Sequence, residues 1–270
     1  MADFIPGSLE ELAASPPVLM LSMDYPDMLF KESLVFFYCA SIVIGIMESQ
    51  RVYTFAHLAL LSIIRAFGAY GFVLPVMLGQ LPNRAFESTD TYFWVLFCAS
   101  LYGGFFVPHI MPESTHKWFQ MFHHFCYSII RGNSLGHGFS LTVNLVPTSL
   151  LAPFFGGFVA VNGHAFLENG LSVADSLKLN CDTVFGVVGG CVYFLLIQYL
   201  AVPAGVARVC LVILHVALDH GLSDYLAHMV VAKYDKVAAF IKAKMSKSTQ
   251  PKAAAMKSVA KRGRSKTPKK

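Results

Sequence analysis

The sequence predicts an all-α membrane protein of seven transmembrane helices, built as two inverted three-helix repeats plus one extra helix. Three observations support this fold class. The 270 residues are 55% hydrophobic and only 14% charged, whereas a soluble domain carries about 25% charged residues. Seven apolar runs are candidates to cross the roughly 30 Å hydrocarbon core of a bilayer as helices. Two stretches of the chain also resemble each other at a constant offset of 86 positions.

The seven predicted spans follow one another along the chain and make up its middle domain, residues 33–231. They cover residues 33–47, 53–78, 92–107, 119–141, 146–161, 184–202 and 204–218. The first span is short. The fourth is apolar over 119–130 and continues only weakly beyond, because polar residues at 131–134 interrupt it.

The two similar stretches are residues 66–104 and 152–190. The matching pairs are Ala66 with Ala152, Gly71 with Gly157, Phe72 with Phe158, Val73 with Val159, Gly103 with Gly189, and Gly104 with Gly190. A unit with an odd number of crossings starts on one side of the membrane and ends on the other, so its tandem copy is inserted upside down. We therefore predict that spans one to three superpose on spans four to six after a rotation of about 180° about an axis in the membrane plane.

The two ends of the chain differ in charge. Residues 1–32 are acidic and contain no apolar core of a signal peptide, so we expect the first span to direct insertion. Residues 232–270 carry 13 of the 21 Lys and Arg residues, and basic flanks stay in the cytosol. We therefore expect a disordered cytosolic C-terminal tail and an N-terminal segment in the lumen or outside the cell. The tail either attracts anionic lipid or only anchors the topology.

Glycine and proline occur together in the second and fifth spans. This combination loosens a helix and frees carbonyl groups that protein, water or ions must then satisfy. We therefore predict kinks at residues 68–71 and 153–157, with an ion path between the two spans. The alternative is close helix packing, because small residues let transmembrane helices approach each other. The candidate ion-path residues in these spans are Arg65, Gly68, Gly71, Pro153, Gly156 and Gly157.

Arginine inside a span is costly unless it faces water or a partner, so intramembrane arginines are functional candidates. Arg65 lies deep in the second span, and we expect it to face a water-filled cavity between spans two and five. Arg131 lies in the fourth span; the alternative for it is snorkelling to the interface. Arg208, near the start of the seventh span, is expected to snorkel. The sequence shows no acidic residue inside a predicted span.

Sequence motifs of catalysis and of metal or cofactor binding are absent. The chain contains no GxSxG, HExxH or P-loop motif, and no GxGxxG motif after a strand. The six cysteines are scattered without CxxC or Cys/His spacing, so we interpret them as small core residues. We therefore expect no enzyme activity, no cofactor, no metal and no nucleic-acid partner.

Three short motifs occur in the order found in a known channel family. They are FGAYG in span two, FFVPH at the end of span three and FFGGFVAV in span five, at residues 67–71, 105–109 and 154–161. Over residues 33–220 the chain resembles the trimeric intracellular cation channels. The resemblance implies a homotrimer in the endoplasmic reticulum or another intracellular membrane, with one pore per subunit between kinked helices two and five. It also implies passive counter-ion conduction of K⁺, and of Na⁺ with little discrimination because a TVGYG filter is absent.

The fourth span departs from the family pattern. The family has a KEVxRxxK-like motif there that contacts phosphoinositide, and only Arg131 remains, because Tyr127 and Ser134 stand at the two lysine positions. Gly138 falls on the second glycine of the pair that follows. The resemblance therefore implies a lipid-binding role for Arg131 and Gly138 in a divergent member. Pro153 stands where the family has an arginine before the glycines of span five.

Two other functions remain open from the sequence. A secondary transporter uses the same inverted repeat, but such proteins place an ionisable coupling site near the membrane midplane. A non-conducting structural membrane protein uses the glycines for packing alone. Current recordings from purified protein in a planar bilayer separate the three functions.

Overall fold

The fold is described by a computed structural model over residues 8–49, 54–79, 95, 97–99, 101–168 and 180–222. Every regular element in these ranges is a helix. The α-helices are α1 Leu9–Ala13, α2 Pro16–Leu21, α3 Met28–Ser49, α4 Phe55–Phe67, α5 Leu74–Met77, α6 Val107–Ile110, α7 Glu113–Leu145, α8 Ala152–Glu168, α9 Cys181–Phe194 and α10 Ala204–Ala217. The basic tail predicted at 232–270 and part of the third span lie outside the described residues.

Segments of the wider π-helix interrupt or extend these α-helices. They are Gly68–Val73 between α4 and α5, Tyr102–Phe106 before α6, Leu195–Tyr199 after α9 and Leu218–Leu222 after α10. The chain turns by 69° between residues 56–67 and 71–77. The kink predicted in the second span is therefore present.

A proline explains two of the π segments. Pro75 has no N–H to donate to the carbonyl of Gly71, four residues earlier, and its ring collides with that carbonyl in a regular helix. Leu74 instead donates its N–H to the carbonyl five residues back. The same arrangement recurs before α6, where the residue ahead of Pro108 also donates five residues back. Both sites have the sequence Gly-Phe-x-x-Pro.

The fifth span behaves differently, because α8 is a continuous α-helix of 17 residues. The kink predicted at residues 153–157 is therefore wrong. Pro153 lies in the first turn, where a missing N–H removes no helical hydrogen bond. The residue four positions after Gly157 is Val161 and not proline. The glycines of α8 consequently stay in regular helix.

The central helix of the bundle is α7, which runs for 33 residues against α3, α8, α9 and α10. The interruption predicted at residues 131–134 does not occur. The Asn133 amide donates hydrogen bonds to Ile129 O and Leu21 O, both at 2.8 Å. At Gly132 the backbone of α10 comes so close that an added Cβ lies 2.9 Å from it. Contacts within α7 and with other helices therefore hold these polar residues inside a continuous helix.

Side-chain contacts show the directions of the helices around α7. Those that run antiparallel to α7 are α3, α8 and α10, whereas α9 runs parallel to it. The contacts are Ser41–His123 and Tyr38–Tyr127 for α3, Arg131–Val161 and Gly138–Gly156 for α8, His124–Asp219 and Gly136–Arg208 for α10, and Tyr127–Asp182 and Ser140–Tyr193 for α9. The bundle therefore has one end where α7 and α9 begin, the Asp182 end, and an opposite end where α10 begins, the Arg208 end.

The N-terminal segment packs at the Arg208 end, where α1 and α2 contact α10. Ser8 caps α1, because its hydroxyl oxygen accepts a hydrogen bond of 3.2 Å from Glu11 N. The described chain thus begins at the Arg208 end and reaches Leu222 at the Asp182 end. Opposite ends for the first and last described residues agree with an odd number of crossings between them.

Several described helices are suited to a membrane by length and composition. Residues Met28–Met47, Cys181–Tyr199 and Ala204–Gly221 each form a helix long and apolar enough to cross it. The bent pair on either side of the Gly68–Val73 segment is a fourth if its two arms form one span. The protein is therefore a multi-pass membrane protein, and the count of seven spans and the inverted repeat remain predictions.

Candidate functional site

A cluster of buried polar side chains surrounds Asp182 between α7, α8, α9 and α10. Asp182 lies in the first turn of α9, which Asn180 caps by accepting a hydrogen bond of 2.8 Å from Thr183 N. The positive end of the helix dipole favours an acid at this position. Asp182 belongs to the apolar helix Cys181–Tyr199. Asp182 lies just before the predicted span 184–202, and this helix begins early enough to include it.

Four side chains converge on the Asp182 carboxylate. Tyr127 Oη donates a hydrogen bond of 2.9 Å to Oδ2, and Arg131 Nη2 lies 3.5 Å from the same oxygen. His215 Nε2 lies 3.4 Å from Oδ1. His164 Nε2 lies 3.9 Å from Oδ2. Because Arg131 is a permanent cation, it compensates the charge that burial of the carboxylate leaves away from water.

The Arg131 guanidinium is held inside the protein, and only 2% of the residue is exposed. Nη1 donates a hydrogen bond of 2.9 Å to Val161 O. Cζ lies 4.8 Å from the ring centroid of Tyr127 and 5.7 Å from that of Tyr38, which is within the range of cation–π attraction. Nε has no hydrogen-bond partner among the described residues. The guanidinium is therefore held by protein groups, and the lipid-binding role of Arg131 stays a prediction.

Gly138 also faces the interior, at the crossing of α7 and α8. A Cβ added to Gly138 lies 2.7 Å from Gly156 O, and one added to Gly156 overlaps the Thr142 hydroxyl. Gly157 is less crowded, since its added Cβ lies 3.4 Å from Leu135 O. Glycines at such a crossing let two helix backbones touch. The structure therefore shows helix packing without a kink at these glycines, and the lipid-binding role of Gly138 stays a prediction.

Arg65 forms a bidentate ion pair with Glu168 at the Asp182 end. Nε lies 2.8 Å from Oε1, and Nη2 lies 3.2 Å from Oε2. The two side chains are 23% and 16% exposed. Three surface cavities of about 390 to 440 Å³ lie elsewhere, and Arg65 lines none of them. The structure places a carboxylate beside Arg65, and the water-filled cavity between spans two and five stays a prediction.

The break in the second span, which contains Gly68 and Gly71, rests on α8. A Cβ added to Gly163 lies 3.2 Å from Ala69 Cα and 3.3 Å from Val73 Cβ. Toward the Arg208 end, buried apolar residues fill the interface and form what we call the apolar cluster: Leu74, Val159 and Ala160, with Val73, Leu78, Leu141 and Phe158 packed against them. The interface between spans two and five is therefore closed in this structure.

A second ionic cluster lies at the Arg208 end. Arg208 pairs through Nη2 with Asp24, and its Nη1 lies 2.8 Å from His137 Nε2. Ser22 Oγ donates a hydrogen bond of 3.0 Å to Asp24 Oδ2. Arg208 is buried. The snorkelling predicted for it is therefore wrong, because the N-terminal segment supplies a counter-charge inside the protein.

Sequence reasoning missed three acids that the fold brings to the three arginines. The pairs are Arg65 with Glu168, Arg131 with Asp182, and Arg208 with Asp24. All three acids lie outside the predicted apolar runs, so hydropathy does not reveal them. The arginines themselves carry the signal, because an arginine buried in a membrane needs a partner. Within the described residues, no group of three or more His, Cys, Asp or Glu side chains is placed to hold a metal ion.

No family model and no curated protein matches the sequence. A solved structure from work on the structural basis for conductance through TRIC cation channels is similar, with a TM-score of 0.53 and 16% identity. The similarity covers 73% of this chain and 92% of that chain. The chain has the fold of this trimeric intracellular cation (TRIC) channel structure. This TRIC fold accounts for the all-helical architecture and extends over most of both chains.

Proposed function

We propose that the protein is a passive channel for monovalent cations, K⁺ and Na⁺, of intracellular membranes. Ions pass along the interface between the second and fifth spans of each subunit. The observation that carries the proposal is the 69° break of the second span against α8, in a chain with the TRIC fold. Non-helical backbone inside a membrane is tolerated where it is buried in protein or lines a water-filled cavity. An opening at this break therefore exposes carbonyl oxygens to cations.

The proposed path has a polar part and an apolar part. At the Asp182 end it contains the Arg65–Glu168 pair and His164, which lies beside Gly68 and near Asp182. Toward the Arg208 end the apolar cluster closes it. A hydrophobic constriction holds a channel shut by excluding water. The structure then corresponds to a closed channel, and opening requires the second span to move away from α8.

Single-channel recording of the purified protein in a planar bilayer tests the polar part. Arg65→Gln leaves Glu168 without its counter-charge, so we expect a larger unitary K⁺ current, most clearly at low salt where screening is weak. Glu168→Gln leaves the cation unpaired and lowers the current. The double variant removes both charges and returns the current close to that of the unmodified protein. Equal currents from all four proteins place the pair outside the ion path.

The apolar part is tested by Leu74→Ser, which puts a hydroxyl group into the apolar cluster. We expect a higher open probability with little change in unitary current, because water enters the constriction more readily. Leu211→Ser is the matched control, since Leu211 is equally buried but lies on α10. An open probability that rises equally in both variants indicates general loosening of the bundle and counts against a constriction at Leu74.

We further propose a homotrimer with one pore per subunit, built from an inverted repeat, in the endoplasmic reticulum and with its tail in the cytosol. The antiparallel contacts of α3 with α7, and of α4 with α8, support the repeat, because equivalent helices of inverted copies run in opposite directions. The mass of the detergent-solubilised complex tests the assembly, for which three chains of 29.7 kDa are expected. Protease cleavage of the tail in sealed microsomes tests its side.

Asp182 favours a second candidate function, a cation-coupled secondary transporter. A buried acid in a span is a common coupling site in such proteins. In this alternative the carboxylate exchanges Arg131 for the transported cation during the cycle. Saturable flux into liposomes without unitary currents, abolished by Asp182→Asn, supports the transporter. Unitary current steps exclude it.

A further inference from the structure

His215 is fully buried, and both of its ring nitrogens face oxygen atoms. Nε2 lies 3.4 Å from Asp182 Oδ1, and Nδ1 lies 2.9 Å from Ser128 Oγ. The Ser128 hydroxyl also lies 2.9 Å from His124 O, to which it donates. The Phe185 ring packs edge-on against the imidazole, with centroids 4.7 Å apart. The imidazole is therefore reached by polar groups from two sides only.

The number of protons decides how these hydrogen bonds are made. A neutral imidazole has one N–H. When Nε2 carries it and donates to Asp182, Ser128 must turn its hydroxyl from His124 O to Nδ1. When His215 carries two N–H groups, it donates to both oxygens and Ser128 keeps its bond to His124 O. The same positions of the heavy atoms thus serve two states that differ by one proton and one hydroxyl rotation.

Charged and titratable groups face this site from each helix packed around it. They are Asp182 from α9, Arg131, Tyr127 and His124 from α7, His164 from α8, and Asp219 from α10 itself. Two carboxylates favour an added positive charge, whereas Arg131 opposes it. Two carboxylates and one permanent cation therefore lie around the His215 site.

A surface groove of about 440 Å³ between α7 and α10 leads to Ser128. Asp219 and His124 line it and contact each other, with Nδ1 2.8 Å from Oδ2. His220 lies in the same groove and is exposed. The groove therefore brings titratable side chains within one hydroxyl group of His215.

We propose that His215 is a proton-binding site that takes its proton from this groove through Ser128. A hydronium ion in the groove gives one proton to Ser128 Oγ while the Ser128 hydroxyl gives its own proton to Nδ1. Water remains in the groove, and the imidazole becomes an imidazolium. The new charge faces Asp182 and competes with Arg131 for that carboxylate. An effect on cation current rests on the proposed function, whereas the proton site does not.

Nitrogen-15 NMR of the full-length, histidine-labelled protein in lipid bilayers tests the site between about pH 8 and pH 5, the range in which imidazoles take up protons. The His215 signals are identified by their loss in His215→Gln. We expect one imine-type signal to be replaced by a second N–H signal as the pH falls. A His215 spectrum unchanged over this range overturns the proposal. His220→Gln is the control in the same groove and leaves the His215 transition in place.

Variants of the two partners test the geometry. Asp182→Asn removes the negative charge that faces Nε2, so we expect the His215 transition in the NMR spectrum to change. Ser128→Ala slows proton exchange at His215. Ser128→Thr keeps a hydroxyl group, so its exchange rate stays close to that of the unmodified protein. An exchange rate equal in the alanine and threonine variants overturns the route through Ser128.

Recordings of the cation current distinguish this inference from the proposed channel function. Acidification on the groove side lowers the cation current of the unmodified protein, and His215→Gln removes that response. An NMR transition in a protein without current supports the proton site and counts against the channel. A pH response that persists in His215→Gln, without an NMR transition, counts against the proton site alone.

Discussion

The second and fifth spans share the sequence Gly-Phe-Val, yet only the second span breaks there. Residues 71–75 are Gly-Phe-Val-Leu-Pro, and residues 157–161 are Gly-Phe-Val-Ala-Val. The first stretch runs from π-helix into α5, whereas α8 passes through the other as regular α-helix. The proline four residues after the glycine makes the difference, because it denies the glycine carbonyl its helical donor. The order of glycine and proline, rather than their presence together, decides the geometry.

The glycines of the two spans also face different kinds of neighbour. Gly156 meets the backbone and the Thr142 side chain of α7, which have nowhere to move. Gly68 meets the end of the Leu167 side chain, 2.9 Å from an added Cβ. At these two glycines, the fifth span meets the backbone of the central helix, whereas the second span meets the end of a side chain. This contrast makes the second span the moving partner in the proposed channel.

The largest effect is expected from Val161→Pro, which gives the fifth span the pattern of the second. The change removes an N–H and places a ring against the carbonyl of Gly157, at a cost of at least about 3 kcal/mol in the free energy of unfolding. The carbonyl that accepts from Arg131 is retained. Reversible unfolding in denaturing detergent measures the cost, with Val161→Ala as control. A proline variant no less stable than the alanine variant contradicts the role given to proline position.

A smaller but clear effect is expected from Gly156→Ala. Its methyl group overlaps Thr142 and forces α7 and α8 apart, and overpacking of this kind costs about 1 to 3 kcal/mol. Gly68→Ala is the matched change in the second span and costs less, because Leu167 turns aside and alanine is the better helix former. The same unfolding assay compares the two variants. Equal losses of unfolding free energy in the two variants contradict the difference between the neighbours of Gly156 and Gly68.

The smallest effect on stability, within about 1 kcal/mol, is expected from Pro75→Val, because the change restores a helical donor without creating a clash. Its effect on shape is large: the second span straightens from its 69° turn. Spin labels at Leu60 and Val76, both exposed, then move apart in distance measurements on a background without the native cysteines. Pro153→Val serves as control in the first turn of α8 and leaves this distance unchanged. An unchanged distance in Pro75→Val shows that tertiary contacts, and not the proline, hold the bend.

Patterns among residues close together in the sequence predicted the features that such residues determine. Apolar runs indicated the membrane helices, and the glycines before Pro75 indicated the broken second span. The kink in the fifth span was predicted wrongly because Pro153 was treated as an interior residue before the start of the helix was known. The continuity of α7 through residues 131–134 was missed because it depends on contacts with distant parts of the sequence. Its polar side chains are satisfied by Leu21 O, Val161 O and Asp182, which lie far away in the sequence.

The candidate site was predicted only in part, since the sequence shows cations but not their partners. Arg65 and Glu168 are 103 positions apart, and Arg208 and Asp24 are 184 apart. Which acid meets which arginine follows from the antiparallel order of the helices around α7. Burial of a permanent cation nevertheless carries information, because it requires a counter-charge somewhere in the fold. A search for acids at the ends of apolar runs is the practical use of that rule.

The length of α7 has a consequence for its place in the membrane. At 1.5 Å per residue its 33 residues measure about 50 Å, well beyond the roughly 30 Å of hydrocarbon. A tilt of about 40°, the upper end for membrane helices, still leaves a rise of about 38 Å. At least one end of α7 therefore extends beyond the hydrocarbon. Because the helix is continuous, it connects both of its ends directly to Arg131 and the buried ionic cluster.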